Sequence, residues 1–124
     1  MKGAKPRLVI DNDAVTGAPA APGWLSSQAK AEWRRVMPGL VKRRILTKAD
    51  LGSLENYCVA MGRVRQLEAK LQKEFDPVLF RAQDKAMTTG RQLAAELGLT
   101  PVSRSRPAVR EAGDDGEDLS PLDI

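Results

Sequence analysis

Two apolar stripes at helical spacing, separated by only a few residues, constrain this chain more than any other feature. The first runs along residues 54–75 and the second along residues 79–97. Asp76 and Pro77 stand between them, where a helix N-cap and first turn are expected. Because the connection is so short, we predict that the two helices form an antiparallel hairpin. The hairpin residues that we assign to core or oligomer packing are Leu54, Tyr57, Met61, Val64, Leu71, Leu79, Ala86, Gly90, Leu93 and Leu97.

A further helix precedes the hairpin. Ser26 or Ser27 can cap it, and Trp33 lies on its apolar face, so we add Trp33 to the packing set. Thr47 and Asp50 have capping-box spacing, which predicts the start of the second helix. Aromatic residues are only 4% of the chain, which disfavours strands. The predicted fold class is all-α: a short N-terminal helix packed on a long antiparallel helical hairpin, with disordered N- and C-terminal arms.

The charge is unevenly distributed. The net charge is +4, and residues 26–98 carry fourteen basic and eight acidic side chains. Residues 99–124 carry three basic and six acidic side chains. A basic body suggests a polyanionic partner, and clustered Lys and Arg bind phosphate oxygens. The candidate DNA-binding residues are Arg34, Arg35, Lys42, Arg43, Arg44 and Lys48, with auxiliary contacts from Lys2, Lys5, Arg7, Arg104 and Arg106. A solvated basic surface is the alternative interpretation of this cluster.

These patterns divide the chain into three parts. We predict a flexible arm with basic, Pro and Gly residues over 1–23, and a three-helix domain for oligomerisation and DNA recognition over 24–99. A flexible tail, first basic and then acidic, covers 100–124. Trp24 is expected to pack down as an anchor where the arm meets the domain.

The chain has few of the residues that enzymes use for catalysis. The chain has no histidine, a single cysteine and no Walker A motif. We therefore predict that it is not an enzyme, with no catalytic residue, no metal and no cofactor. Cys58 is expected to be a small core residue. No long apolar run or secretory signal occurs, so we expect no membrane partner and a cytoplasmic location.

Self-association is expected from the apolar surface. Three helices with about 70 ordered residues make a small core. Leu51, Cys58 and Leu67 lie off the main stripe of the second helix and give it a second apolar shoulder. We expect a sister chain to cover it.

The spaced motifs W-L-x3-A-x3-W, ILTKAD and L-x2-Y-C, together with the ending QLAAELGLTPVSRSR and the opening MKGAKP, resemble the small subunit of tailed-phage terminases over about residues 1–107. The direct turn at EFDP replaces a longer connection in many relatives. The resemblance implies a non-enzymatic component of viral DNA packaging that forms a ring-shaped homo-oligomer in the bacterial host cytoplasm. Such a ring binds the packaging site on double-stranded viral DNA, recruits the large terminase subunit, and regulates that subunit's ATPase and nuclease. The acidic tail 111–124 is our candidate contact for the large subunit.

Two other classes are weighed against this interpretation. A small dimeric transcription regulator could use the corner at Leu46–Asp50 as a helix-turn-helix, and it would bind a palindromic site. A purely structural assembly protein, without nucleic-acid binding, is the third hypothesis.

Overall fold

Three α-helices make up the body of the part of the chain that the structure describes. The computed structural model describes residues 17–44 and 46–101. Helix α1 spans Ser27–Arg43, α2 spans Leu51–Lys73 and α3 spans Pro77–Glu96. A short 3-10 turn, Lys48–Asp50, leads into α2, and no strand occurs within these two ranges. The predicted all-α class is confirmed, whereas the predictions for residues 1–16 and 102–124, including the auxiliary contacts, lie outside the described residues.

The helix starts follow local hydrogen bonding. The Ser26 hydroxyl accepts from the backbone N–H of Ala29 at 3.1 Å. At the start of the 3-10 turn that leads into α2, the backbone N–H and the hydroxyl of Thr47 both donate to Asp50 Oδ2, at 3.0 and 2.9 Å. Asp76 Oδ1 accepts from the backbone N–H of Val78 at 2.8 Å. All three starts agree with the caps predicted from sequence.

The end of α3 is a Schellman motif. The Leu99 N–H donates to the Ala94 carbonyl at 2.8 Å, and the Gly98 N–H donates to the Ala95 carbonyl at 3.3 Å. Gly98 has φ 74°, the left-handed conformation that glycine adopts without a Cβ clash. This motif ends α3 before Pro101.

Glycines set the separation of the helices. A Cβ at Gly62 would lie 2.9 Å from the backbone nitrogen of Ala29, so α1 and α2 are in backbone contact there. A Cβ at Gly90 would lie 2.8 Å from Met61 Sδ. Gln83 Nε2 also donates to the Val64 carbonyl at 3.1 Å. Met61 therefore pairs with Gly90 and the later Val64 with the earlier Gln83, so α2 and α3 run in opposite directions. The predicted antiparallel hairpin is therefore confirmed, and α1 packs against α2, the first helix of the hairpin.

The core lies where α1 meets the base of the hairpin. Leu40, Leu54 and Cys58 are fully buried, and Trp33 is 3% exposed. The other members of the predicted packing set are buried or half-buried, namely Tyr57, Met61, Val64, Leu71, Leu79, Ala86, Gly90, Leu93 and Leu97. The helix α1 continues through Pro38, which lies on its exposed side.

The prediction for Trp24 is wrong. Its side chain is 64% exposed, and the neighbouring Leu25, at 4%, occupies the buried position instead. The segment before α1 is held by another contact, in which Trp33 Nε1 donates to the Pro19 carbonyl at 2.8 Å. This hydrogen bond ties Pro19 to the body, while Trp24 is largely exposed.

Candidate DNA interface and apolar groove

A basic corner is formed where α1 ends and α2 begins. Lys42, Arg44 and Lys48 are exposed there, on the last turn of α1, its C-cap and the 3-10 turn. Arg43 is half-buried, because its guanidinium folds back over Gly39, where an added Cβ would lie 3.5 Å from Nη1. The fold thus brings four of the six predicted DNA-binding residues to one corner.

The other two predicted residues lie about two turns earlier on α1. Arg34 and Arg35 are both exposed. Arg35 and Lys42 are seven residues apart, close to two full turns, so they share one side of the helix. Arg34 is turned about 100° away from Arg35. Arg35 therefore extends the basic corner along α1 and Arg34 lies on an adjoining face.

Arg35 also belongs to a charged cluster built on Glu32. The Glu32 side chain is fully buried between α1 and α2. Arg35 donates to both of its carboxylate oxygens, from Nε at 3.0 Å and from Nη2 at 2.6 Å. Arg65 Nη2 donates at 2.6 Å, and the Tyr57 hydroxyl donates at 2.5 Å. Each partner supplies a hydrogen bond that a buried carboxylate requires.

These partners determine the charge states within the cluster. Burial alone would raise the pKa of the Glu32 carboxyl, but the hydrogen bonds from Arg35, Tyr57 and Arg65 outweigh it and lower that pKa. Burial and the Glu32 carboxylate raise the pKa of the Tyr57 phenol. Hydrogen bonding to Glu32 raises the pKa of the Arg35 guanidinium. At neutral pH the cluster holds one carboxylate and two guanidinium cations.

Sequence reasoning missed Glu32 and Arg65. The available signal was the position of Glu32, three residues after Ala29 and four before Val36 on the apolar side of α1. A carboxylate at such a position needs partners from another helix. Arg65 and Tyr57 on α2 could be identified only from the rotation of α2 against α1.

Cys58 has the properties of a core side chain. It is fully buried. Burial, together with the nearby Glu32 carboxylate, raises the pKa of its thiol to about 12. The thiol is therefore protonated at neutral pH, which agrees with the prediction of a small core residue. Within residues 17–44 and 46–101, no group of acidic, His or Cys residues could hold a metal ion, and no helix is long and apolar enough to cross a membrane.

An apolar groove runs along the outer side of the α2–α3 hairpin. It has a volume of about 790 Å³, and Arg63, Lys85 and Glu96 contribute charged groups to its walls. None of the six predicted DNA-binding residues lines it. Its apolar walls include Trp24, Val59, Leu67, Ala82, Ala86 and Leu93. Leu67 lines this groove, whereas Cys58 lies in the core and Leu51 packs against it. The predicted second shoulder of α2 is therefore wrong for Leu51 and Cys58.

The described residues thus form a helical body with a cationic corner at the α1–α2 junction and an apolar groove lined by α2 and α3. A scan against protein-family models matches residues 29–114 to the family described as phage terminase, small subunit. The match spans more than half of the chain, and the chain belongs to this family. No curated protein and no solved structure gives a significant match.

Membership of this family confirms the resemblance predicted from sequence. It supports a role in viral DNA packaging, and it implies association with DNA and with a large terminase subunit. Small terminase subunits are generally non-catalytic.

Proposed function

We propose that this chain binds the packaging site of double-stranded viral DNA as a ring-shaped homo-oligomer and, in that form, recruits and regulates the large terminase subunit. The observation that carries the proposal is the separation of the basic corner from the α2–α3 groove. Because different residues form the two surfaces, one protomer can contact DNA and a neighbouring protomer at the same time. The complex acts in the cytoplasm of the bacterial host.

Self-association uses the groove. Its walls expose apolar side chains on α2 and α3, and Trp24 adds an aromatic ring that is 64% exposed. Exposed aromatic residues are typical anchors of protein–protein interfaces. We assign the groove to a second copy of the chain, since three helices alone bury a small core. Repetition of this contact around a closed ring leaves no groove uncovered.

DNA contact uses the basic corner, with Lys42, Arg44 and Lys48 as the exposed cations and Arg43 beside them. Such contacts bind phosphates without reading sequence directly. A ring repeats the corner once in each protomer, so a weak single contact becomes a strong combined one.

The geometry favours this function over a helix-turn-helix regulator. In a helix-turn-helix the two helices cross at about 90–120°. Here the first turn of α1 contacts α2 at Gly62, eleven residues after the α2 start at Leu51. The two helices are also joined at the opposite end of this contact. They therefore run side by side over about 16 Å, and the corner at Leu46–Asp50 connects an antiparallel pair.

The central experiment measures solution mass and DNA binding together. Multi-angle light scattering should give a mass several times that of one chain, and fluorescence anisotropy should show duplex binding that weakens steeply with salt. A Lys42→Ala, Arg44→Ala, Lys48→Ala variant should keep its mass but lose most of its DNA affinity. The matched control is Lys70→Ala, Lys73→Ala, Arg81→Ala, which removes the same charge from the other end of the hairpin.

The outcomes separate the hypotheses. A dimer with high affinity for a palindromic duplex would favour the transcription regulator. An oligomer that binds no duplex at low salt would favour a purely structural assembly protein. Equal loss of affinity in the two triple variants would mean that net charge, rather than the basic corner, determines binding.

The acidic tail 111–124 is our proposed contact for the large subunit. The tail lies outside the described residues, and the proposal depends on its charge alone. Deletion of residues 111–124 should leave DNA affinity and solution mass unchanged, while it weakens stimulation of the large subunit's ATPase. An unchanged ATPase response would contradict this assignment.

A further inference from the structure

Three charged side chains meet between α1 and α2, and their charges do not balance. Glu32 is fully buried, and Arg35 and Arg65 each place an Nη2 atom 2.6 Å from one of its carboxylate oxygens. One carboxylate against two guanidinium groups leaves a net charge of +1. The nearest carboxylate along α2, Glu68, accepts from the side-chain amides of Gln83 and Gln72.

A single arginine would be enough to neutralise Glu32. The second guanidinium adds a desolvation cost and an excess charge, and buried ion pairs are weak contributors to stability. Both arginines stay in contact with solvent, since the Arg35 side chain is 62% exposed and the Arg65 side chain is 37% exposed. Their guanidinium groups carry five N–H donors each, more than the Glu32 oxygens can accept.

We propose that Arg35 and Arg65, held together by Glu32, form a clamp for one phosphodiester group of duplex DNA. A phosphodiester carries a single negative charge, which balances the excess of the cluster. Guanidinium groups match the oxygens of a phosphate in a two-pronged geometry. Because Glu32 already fixes both side chains, little rotamer freedom is lost when the phosphate binds.

The clamp continues the basic corner along the molecule. Arg35 and Lys42 share one side of α1 at a separation of about 10 Å along the helix axis. A DNA backbone that contacts Lys42 can therefore extend toward Arg35 and Arg65. This inference depends on the DNA-binding function proposed above, and it adds Arg65 on α2 to the contact surface and gives Glu32 a positioning role.

The test compares single variants by fluorescence anisotropy with a duplex oligonucleotide over a salt series. Arg65→Gln should weaken binding by roughly tenfold. It should also reduce the slope of log affinity against log salt by about one for each protomer engaged. The matched control is Arg91→Gln, which removes an exposed arginine from α3 and should stay within about twofold of the wild type.

Glu32→Gln separates a held geometry from a simple charge effect. The variant makes the cluster more positive, so a pure charge effect would tighten DNA binding. If Glu32 positions the two arginines, the variant binds DNA more weakly than the wild type. Solution mass and near-ultraviolet circular dichroism of each variant establish that the assembly and the fold are retained.

Arg65→Lys covers the case in which Arg65→Gln does not fold, since it keeps the charge but removes the planar fork. Its affinity should lie below that of the wild type with little change in salt slope. The clamp is overturned if these Arg65 variants bind like Arg91→Gln, or if Glu32→Gln binds more tightly than the wild type. A wild-type protein that binds no duplex would instead overturn the proposed function itself.

Discussion

The Tyr57 hydroxyl on α2 donates a hydrogen bond of 2.5 Å to the Glu32 carboxylate on α1. This contact joins two helices through a carboxylate that is fully buried. The same carboxylate also accepts from Arg35 and Arg65. The interior of the α1–α2 interface is therefore polar at this one point, and its stability depends on the ionisation of Glu32.

We expect Glu32→Gln to lower the free energy of unfolding by about 1–2 kcal/mol at pH 7. This loss of stability is smaller than is usual when a buried ion pair is broken, because Arg35 and Arg65 are partly exposed and can be rehydrated. Thermal or urea unfolding at a fixed protein concentration measures it. The matched control is Glu55→Gln, which changes a half-buried glutamate on α2.

The wild type and Glu32→Gln should also differ in how their stability changes at acidic pH. The pKa of Glu32 is lower in the folded protein than its ordinary value of 4.5. Glu32 therefore contributes stability above that value, and the contribution is lost as the pH falls through the folded pKa. The difference in unfolding free energy between wild type and Glu32→Gln should shrink below pH 4.5. A difference that stays constant down to pH 2.5 would contradict this electrostatic role.

Two glycine-to-alanine substitutions should have different effects on stability, although each adds the same methyl group. At Gly62 the new Cβ would meet the Ala29 backbone at 2.9 Å, so α1 and α2 must separate. We expect a loss of about 1–2 kcal/mol, after alanine's gain in helix propensity is counted. At Gly90 the Cβ would meet Met61 Sδ, the end of a flexible side chain, so the net change should be close to zero.

The midpoint of urea unfolding, with its slope, measures both substitutions. Equal midpoints for Gly62→Ala and Gly90→Ala would mean that the α1–α2 contact is looser than the structure has it. Gly90 was assigned to helix packing from the sequence, whereas Gly62 was not.

Local signals explain why most of the fold could be predicted. The caps at Ser26, Thr47 and Asp76 depend on side chains within three residues of the backbone groups that they satisfy, so the sequence alone reveals them. The short connection after Phe75 likewise determines the hairpin. These features lie within a few residues of chain, and tertiary packing did not override them.

The candidate site was less predictable because it depends on contacts between distant residues. Arg65 reaches Glu32 from 33 residues away, and this pairing depends on how each helix is rotated about its axis. The sequence identified Arg35 as a cation, and its pairing with Glu32 is a local i,i+3 contact. The partners from α2, Arg65 and Tyr57, could be assigned only from the structure. The prediction that Trp24 is buried was wrong for a similar reason. Whether Trp24 or Leu25 takes the buried position depends on how the preceding segment approaches Trp33.

Arg44 allows charge and backbone conformation to be separated at the basic corner. It is the one non-glycine residue with positive φ in the described part of the chain, with φ 59° and ψ 31°, and it caps α1. Glycine adopts this conformation without a Cβ clash. Arg44→Gly should therefore be about 0.5–1 kcal/mol more stable than Arg44→Ala. Both variants lose the same charge, so their DNA affinities should be equal and below that of the wild type.

Unfolding and anisotropy measurements on these two variants give independent readouts. If Arg44→Gly regained DNA affinity relative to Arg44→Ala, the backbone conformation rather than the charge of Arg44 would control binding. If the two variants were equally stable, the left-handed cap would not be maintained in solution.

Substitution of Trp24 tests the proposal that the chain self-associates through the groove. Trp24 and Phe75 are both aromatic and almost equally exposed, at 64% and 63%, but only Trp24 lines the α2–α3 groove. Phe75 lies at the end of the hairpin, where its ring packs against Phe80 at a centroid distance of 5.7 Å. We expect Trp24→Ser to reduce the solution mass at micromolar concentration, because a tryptophan that a partner covers contributes strongly to binding. Phe75→Ser should keep the wild-type mass, and light scattering over a dilution series compares the two. A mass that falls in Phe75→Ser and not in Trp24→Ser would place the interface at the hairpin end, since the two aromatic residues are exposed to similar fractions and differ in location.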